Sequence, residues 1–532
     1  MTEFQTENIK IQDEDDDILS NHMKLYDIEE AIQVVGDSNW YQKRSIIYIW
    51  SMFIFMSYMF FLVPSTTYPP TFTCADGSSC TETDGGCDAG SIVDSDKMAS
   101  AVTEFKLYCD NLQLRNLLQS IGMVGAAFGL LVVNLFSDNF SRKKCIIFVW
   151  GFGALFAILY GVTQSVALLI ISQFGIGLGY NCLLILFLVQ MNELSATYRV
   201  MGITVAYAIS SLGQISIYFI IMITENWRYQ ILYFFAIPSA ALWLLSFFLI
   251  DDQPRFLILK NKEKCVEVLK RIASANGKEC PITVDNLKSP NQENNLSQVE
   301  SQQSKKKYTY YDLFAYKSQR IILFPLMFAL FFLSSLYYGT QLSLDSVGFT
   351  FQQNCLYIGI SELVGYLASD RICSKLRRRK WGIITLFVTS CFLILDAIFK
   401  VPNDCTNECY QKDLQMVFTC LARFIVSFSF SFLLIQIGEA FPVTLKSIGY
   451  GFITAFSNIG NVISPYLQNL AIEIEIDPLY ILGIVGMLSC ICIFLSKETF
   501  QQPDIQDIPE LLESNKNSGI NKPMMVSVNS QQ

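Results

Sequence analysis

Charged residues are scarce in this sequence, and the motifs of several common chemistries are missing. Only 16% of the 532 residues are charged, and His22 is the single histidine, whereas a soluble protein carries about 25% charged residues. No G-x-x-x-x-G-K-S/T motif occurs, and the cysteines lack metal-ligand spacing. We therefore expect no direct ATP drive, no cofactor, no bound metal, no enzyme activity and no nucleic-acid partner.

The chain also lacks the opening of a cleavable signal peptide. Such a peptide begins with a short basic segment that leads into an apolar one. The first forty residues here are polar, and an acidic run from Asp13 to Asp17 lies within them. We therefore expect the N-terminal tail to stay in the cytosol.

Long apolar runs dominate what is present. Each is about 20 residues long, which is the length that a helix needs to cross a hydrocarbon core of about 30 Å. The sequence thus predicts an all-α integral membrane protein with twelve transmembrane helices in two six-helix halves. The predicted spans, α1 to α12, cover residues 45–63, 114–136, 145–163, 166–190, 201–223, 229–250, 321–342, 353–369, 382–399, 414–437, 447–470 and 477–496.

Positive charge is distributed unevenly between the predicted loops. Lys43 and Arg44 precede α1. Basic residues follow every even-numbered helix, whereas the segments after the odd-numbered helices carry few positive charges. Lys and Arg accumulate in short cytoplasmic loops. The pattern therefore places both termini in the cytosol.

A polar linker divides the spans into two halves. It contains a helical pattern at 262–275 and a stretch rich in Gln, Ser and Asn at 289–304 that cannot bury a core. The expected segments are a cytosolic tail at 1–44, an N-terminal half at 45–250 with an extracytosolic loop at 64–113, a cytosolic linker at 251–320, a C-terminal half at 321–496 and a cytosolic tail at 497–532.

The two halves repeat charged positions at their cytosolic helix ends. Asp138 follows α2 as Asp370 follows α8, and each opens a basic loop. Internal duplication of membrane halves is typical of transporters, whose substrate site lies where the repeats meet. We expect the ion pairs of a cytosolic gate among Asp138, Arg142, Glu193, Arg199, Asp370, Glu439 and Lys446.

Six of the sixteen cysteines fall in segments that this topology places outside the cytosol. Disulfides are chemically plausible there, and free thiols are the alternative. Four of the six lie in the first loop, where three pairings are open. The six candidates are Cys74, Cys80, Cys87, Cys109, Cys405 and Cys409.

Several short motifs resemble those of a known family. Residues 137–144 are similar to the loop between helices 2 and 3 of the major facilitator superfamily, although Asn134 and Ser141 replace its two glycines. Within that superfamily, further segments resemble the organic cation, anion and carnitine transporter family, with Gln173 where an arginine is usual. These segments are 173–179, 226–228, 253–257, 337–339, 361–363 and 438–442. The resemblance spans about residues 26–513 and implies the major facilitator fold.

Ionisable residues cost free energy inside a bilayer, so each one is interpreted first as a functional residue. Glu362 lies in the middle of α8 with Tyr366 four residues on, so a carboxylate and a phenol share one helical face. This pairing suits an organic cation, and the resemblance implies an acidic residue at this position in cation transporters. A structural role between helices is the alternative. Arg423 in α10 either neutralises Glu362 or binds an anionic group of the substrate.

Polar side chains at helical spacing supply further candidates for substrate binding. They lie on α5, α7 and α11, and such stripes serve about as often to hold helices together. The neutral Asn458 stands where the resemblance implies a charged residue, which weakens any assignment of substrate charge. Asp396 is interpreted as interfacial. The stripe residues are Tyr207, Ser211, Gln214, Tyr218, Ser334, Tyr337, Tyr338, Gln341, Thr454, Asn458 and Asn461.

These observations favour a carrier of small organic ions, cation or zwitterion, that works by alternating access. Its partners would be the solute and the lipid bilayer, with a monomer as the functional unit and the plasma membrane favoured over an internal one. A sugar or inorganic-ion carrier of the same superfamily is one alternative. A non-transporting receptor or scaffold is another.

Overall fold

A computed structural model of the chain describes most of its residues. They are 25–36, 39–70, 72–75, 77, 79–80, 86–87, 91–93, 99–137, 141–194, 199–288, 309–344, 349–373, 375–399, 410–442 and 445–501. Three of the candidate gate and disulfide residues, Asp138, Cys405 and Cys409, lie outside these ranges.

In the part of the chain that the structure describes, twelve long helices form the bundle, in the order that the apolar runs predict. α1 begins at Trp40 rather than at residue 45, because Tyr41 and Gln42 are buried at its polar start and extend the helix beyond the apolar run. Residues Gln230–Ala236 of α6 are π-helical. The bounds are α1 Trp40–Phe60, α2 Leu112–Ser137, α3 Arg142–Val162, α4 Val166–Leu194, α5 Arg199–Ile223, α6 Trp227–Leu249, α7 Lys317–Leu342, α8 Phe351–Cys373, α9 Arg378–Ile398, α10 Tyr410–Ala440, α11 Lys446–Glu473 and α12 Pro478–Leu495.

Two of these helices are distinctly more polar than the rest. Within the described residues, ten helices are long and apolar enough to cross a membrane by length and composition, and α8 and α11 are the two that are not among them. α8 carries Glu362, and α11 carries Asn458 and Asn461. A polar helix in a membrane bundle must face protein or a water-filled space.

The two halves pack by the same scheme. In the N-terminal half α2 packs on α4, α1 on α5 and α3 on α6, while the corresponding pairs α8 with α10, α7 with α11 and α9 with α12 pack in the C-terminal half. The halves meet along two equivalent contacts, α5 with α8 and α2 with α11. This pseudo-symmetry is the internal duplication that the charge pattern indicates.

Glycines allow α2 and α4 to cross with their backbones almost in contact. A Cβ atom on Gly177 would lie 1.8 Å from the carbonyl oxygen of Gly122, and one on Gly125 would lie 2.2 Å from that of Phe174. No flexible side chain can move aside at either position. Small residues at such crossings give membrane helices their closest packing.

We expect Gly177→Ala to destabilise the protein by about 1–3 kcal/mol, the usual cost of overpacking. Gly438→Ala is the matched control, because nothing lies within 4 Å of a Cβ atom built there. Thermal unfolding of the detergent-purified proteins checks the difference. Equal unfolding temperatures for the two variants would contradict this close α2–α4 crossing.

One end of the bundle, here called the disulfide end, carries the loop between α1 and α2. Short helices, Leu62–Ser65, Ala101–Phe105 and the 3-10 turn Cys109–Asn111, flank an antiparallel sheet in the order β2-β1-β3. Its strands are β1 Phe72–Thr73, β2 Ser79–Cys80 and β3 Ile92–Val93. Of the three possible pairings of its cysteines, the structure has Cys74 with Cys80 and Cys87 with Cys109.

The Glu104 side chain links this loop to the start of α6 through hydrogen bonds. Its carboxylate accepts hydrogen bonds from the indole of Trp227 at 2.9 Å and from Nη2 of Arg228 at 2.6 Å, and Nη1 of Arg228 donates to the carbonyl of Gly161 at 2.9 Å. Partial burial raises the pKa of Glu104, but the hydrogen bonds and charge of these partners together lower it below its ordinary value of 4.5. The carboxylate is therefore ionised at neutral pH.

The opposite end, here called the linker end, carries a small helical body with its own core. It comprises helices Ile28–Val35, Pro254–Lys260 and Lys262–Ala275, of which only the last is predicted from sequence. The Asn276 side chain joins the body to α1, donating to the carbonyl of Val35 at 2.9 Å and accepting from the amide of Tyr41 at 2.9 Å. A further short helix, Tyr310–Ala315, precedes α7.

Candidate functional site

A cavity of about 150 Å³ lies between the two halves, in the middle of the bundle. Side chains from α1, α2, α4 and α5 of one half and from α7, α8, α10 and α11 of the other line it. The two polar helices α8 and α11 therefore turn their polar residues into this space. The polar lining residues are Ser57, Asn181, Tyr207, Ser210, Ser211, Ser334, Tyr337, Tyr338, Glu362, Tyr366, Thr454, Ser457, Asn458 and Asn461.

The charge at this site comes from one buried ion pair. Nη1 of Arg423 donates to Oε1 of Glu362 at 3.1 Å, and the hydroxyl of Tyr337 donates to Oε2 at 3.1 Å. The Glu362 and Arg423 side chains are 1% and 2% exposed. Burial of two charges is tolerated only when each is paired and hydrogen-bonded, and both carboxylate oxygens here have a donor.

Arg423 lies behind Glu362 rather than in the cavity wall. Its guanidinium lies over the Tyr337 ring, 4.6 Å from the centroid, and its Nη2 donates to Oε1 of Gln341 at 3.1 Å. The same Gln341 oxygen accepts from Nε2 of Gln214 on α5 at 3.1 Å. A chain of hydrogen bonds thus runs from Glu362 through Arg423 and Gln341 to the other half.

Aromatic rings form much of the remaining wall. Tyr366, one turn from Glu362 towards the linker end, stacks on Tyr207 of the other half with ring centroids 5.5 Å apart. Tyr337 meets Phe430 edge to face at 5.1 Å. Tyr357, five residues before Glu362, is 41% exposed and turned away from the cavity, so Tyr366 is the ring that α8 contributes.

Three asparagines form a neutral polar cluster where α4 meets α11. Nδ2 of Asn181 donates to Oδ1 of Asn458 at 3.0 Å, and Nδ2 of Asn461 donates to the same oxygen at 3.3 Å. Sequence reasoning missed Asn181, although a lone amide in the apolar run of α4 was a usable signal. It also missed Met56, Phe430 and the other apolar wall residues, since these cannot be told from core residues by pattern.

The structure brings together most of the residues predicted to bind substrate. Ten of the fourteen candidates named in the sequence analysis line the cavity, namely Tyr207, Ser211, Ser334, Tyr337, Tyr338, Glu362, Tyr366, Thr454, Asn458 and Asn461. Arg423 is one side chain removed, behind Glu362, and Gln214 is connected to Arg423 through Gln341. What each residue does for a substrate stays a prediction.

The interpretation of Asp396 as an interfacial residue is wrong. Its side chain is fully buried between α9 and α10, where it accepts a hydrogen bond from Thr419. Its position near a helix end suggested exposure, but α10 packs along α9 and covers it. Asp396 is not among the residues that line the cavity.

One residue of the predicted gate, Glu439, forms an ion pair at the linker end, and its partner is Arg378, which is not among the gate residues named above. Glu439 accepts from Nη2 of Arg378 at 3.2 Å and from the hydroxyl of Thr499 at 2.8 Å. These contacts join the end of α10 to the start of α9 and to the segment after α12, while Lys446 begins α11. Asp138 and the side chains of Arg142, Glu193, Arg199 and Asp370 lie outside the described part of the chain. The gating role stays a prediction.

Two six-helix halves that meet around one central cavity can expose it to either side in turn, which is the architecture of a membrane carrier. The chain belongs to the Major Facilitator Superfamily, whose family model matches residues 111–465. It is a multi-pass membrane transporter of this superfamily.

Several curated proteins are similar to this chain over most of its length. Solute carrier family 22 member 2 of Rattus norvegicus is 24% identical over 461 residues, which cover 84% of this chain and 78% of the rat protein. The organic cation transporter protein of Drosophila melanogaster is 23% identical over 79% of this chain and 74% of its own length. Solute carrier family 22 member 6 of Oryctolagus cuniculus is 25% identical over 84% of this chain and 78% of its own. The chain is homologous to these carriers.

Solved structures agree on the fold. The E. coli xylose transporter XylE in a partially occluded inward-open conformation matches with a TM-score of 0.59 at 13% identity, covering 87% of this chain and 99% of XylE. The proton:xylose symporter XylE bound to 6-bromo-6-deoxy-D-glucose matches with a TM-score of 0.57 at 14% identity, covering 89% and 98%. At this identity the likeness concerns the fold alone.

Removal of one member of the ion pair should cost far more than removal of both. Arg423→Met leaves the buried Glu362 carboxylate without its counter-charge, which costs about 3–5 kcal/mol. The double variant Arg423→Met/Glu362→Gln removes both charges, and we expect it to recover most of that loss. Thermal unfolding of the wild type, both single variants (Arg423→Met and Glu362→Gln) and the double variant measures this coupling. Additive losses in the double variant would show that the two charges do not depend on each other.

Proposed function

We propose that this protein carries a small organic cation across the plasma membrane by alternating access. The observation that carries the proposal is that Glu362 is the sole charged side chain among the described residues that line the cavity. Its surroundings are aromatic rings and neutral polar groups. A carboxylate beside aromatic faces attracts an organic cation by charge pairing and by contact with the rings.

The placement of Arg423 favours a cation over an anion. An anionic substrate would have to pass Glu362 to reach the guanidinium, because Arg423 is not among the residues that line this cavity. In the empty site Arg423 neutralises Glu362, and an entering cation competes with it for the carboxylate. A zwitterion fits only if its anionic group reaches Arg423 after that exchange.

The size of the cavity suits a compact solute. A cavity of 150 Å³ lined by apolar residues is large enough for benzene, and the cavity here has about that volume. Its wall is mixed, with tyrosines and phenylalanines around the carboxylate. A single aromatic ring with an ammonium group, or a small quaternary ammonium ion, matches this volume and chemistry.

Contacts between the halves on both sides of the cavity support alternating access. Towards the disulfide end, Tyr338 donates to the carbonyl of Gln119 at 3.2 Å. Towards the linker end, the Tyr207 and Tyr366 rings stack across the same interface. A bound cation would be occluded between these two contacts, and separation of either one would release it to that side.

The orientation and assembly state follow from the same proposal. The disulfide end faces the outside, since disulfides form in oxidising compartments, and both termini and the linker-end body face the cytosol. Each half contributes to a cavity within one chain, so a monomer in the lipid bilayer is sufficient for transport.

We expect saturable uptake of radiolabelled phenyltrimethylammonium into proteoliposomes that contain the protein, and a loss of at least about tenfold for Glu362→Gln, the worth of one charge-assisted hydrogen bond. Asp396→Asn is the matched control, because it also neutralises a buried carboxyl but lies away from the cavity. It should retain uptake, as should Tyr366→Phe, which keeps its ring.

Parallel uptake assays with xylose and with p-aminohippurate, an organic anion, give the outcomes that would contradict the proposal. Uptake of the sugar or the anion that Glu362→Gln leaves unchanged would contradict a cation site at Glu362. Equal losses in Glu362→Gln and Asp396→Asn would contradict it as well, because the effect would then be one of folding.

A further inference from the structure

Gln341 occupies the point where the ion pair meets the interface between the halves. Its Oε1 accepts from Arg423 Nη2 at 3.1 Å and from Gln214 Nε2 at 3.1 Å. Arginine has only donors, so the oxygen of Gln341 must face Arg423, and Gln214 must then donate to it. All three side chains are buried. One carbonyl oxygen is thus shared between the charged site and the N-terminal half.

The bond from Gln214 is part of a seal on the disulfide-end side of the cavity. Leu344, which follows α7, and Cys355 and Ile358, from the disulfide end of α8, are buried in the hydrophobic cluster of the N-terminal half rather than in that of their own half. Tyr68 and Phe351 meet further out, with ring centroids 5.2 Å apart. Opening at this end must therefore separate these side chains and break the Gln214–Gln341 bond.

We propose that Gln341 is a positioning residue that transmits occupation of the charged site to this seal. This inference rests on the proposed function, because it assumes that a cation competes with Arg423 for Glu362. It assigns to Gln341 the coupling between binding and opening, a role distinct from contact with the substrate.

The coupling follows from the limited number of acceptors around Arg423. In the empty site its guanidinium is shared between Glu362 and Gln341. A cation bound at Glu362 removes one acceptor from the Arg423 guanidinium, so Arg423 must donate more strongly to Gln341. The hydrogen bond from Gln214 to the Gln341 oxygen then weakens, because a carboxamide oxygen has only two lone pairs for all its donors. Oε1 of Gln214 has no hydrogen-bond partner among the described residues, so loss of its one bond to Gln341 loosens the seal.

The test uses Cys355 as a natural reporter. Its thiol is free and fully buried within the seal, so alkylation by N-ethylmaleimide requires opening at the disulfide end. Mass spectrometry of the purified full-length protein gives the labelling rate at each cysteine. Cys490, buried in the core of the C-terminal half, reports unfolding in the same sample.

Without ligand, Gln341→Leu and Gln214→Leu should each raise the labelling rate of Cys355 about fivefold, which is the population shift that one hydrogen bond sustains. Gln468→Leu is the matched control. It lies at the same end, but among the described residues its side chain donates to Gly339 and Ser343 of its own half, so its rate should equal that of the wild type. The rate at Cys490 should be unchanged throughout.

Glu362→Gln tests the coupling without a substrate, because it weakens the acceptor as a bound cation would. We expect it to raise Cys355 labelling in the wild-type background and to add nothing in the Gln341→Leu background. A rise of the same size in both backgrounds would overturn the proposal, as would wild-type labelling rates in Gln341→Leu and Gln214→Leu.

Addition of phenyltrimethylammonium separates this inference from the proposed function. An increase in Cys355 labelling of the wild type, absent in Gln341→Leu, supports both. If the cation has no effect while Glu362→Gln acts through Gln341, the coupling stands and the cation proposal fails. If the cation raises labelling equally with and without Gln341, the cation proposal stands and the coupling is wrong.

Discussion

The ion pair between Glu362 and Arg423 is the constraint on which the centre of this protein depends. A carboxylate and a guanidinium, each almost fully buried, are stable there only because every oxygen and most of the nitrogens have partners from α7, α8 and α10. The pair therefore fixes how these three helices face one another. It also leaves one side of the carboxylate as the only charged part of the described cavity wall.

The rest of the bundle places this pair at an interface that can separate. The close crossing of Gly122 and Gly177 packs α2 against α4 within the N-terminal half, while polar and aromatic pairs join the two halves around the cavity. Tyr338 with Gln119, Gln341 with Gln214 and Tyr366 with Tyr207 are examples. Two halves that meet around a central site can rock about it, as alternating access requires.

Much of the fold follows from the sequence, because membrane helices are read from their length and apolarity. The twelve spans, the duplication of the halves and the presence of Glu362 in a polar helix all came from such patterns. The helix Ile28–Val35 and the burial of Asp396 were missed, since both depend on packing against distant segments. Similarly, the stripe on α7 identified Gln341, but only the structure shows that Gln214 and Arg423 share its oxygen.

The most direct test of the central claim is an experimental structure of the protein with phenyltrimethylammonium bound. The account predicts the ammonium group within about 4–6 Å of the Glu362 carboxylate, the distance over which an opposite charge acts strongly, with Arg423 moved from its 3.1 Å contact. A ligand bound elsewhere, or an unchanged contact between Glu362 and Arg423 beside a bound cation, would contradict it.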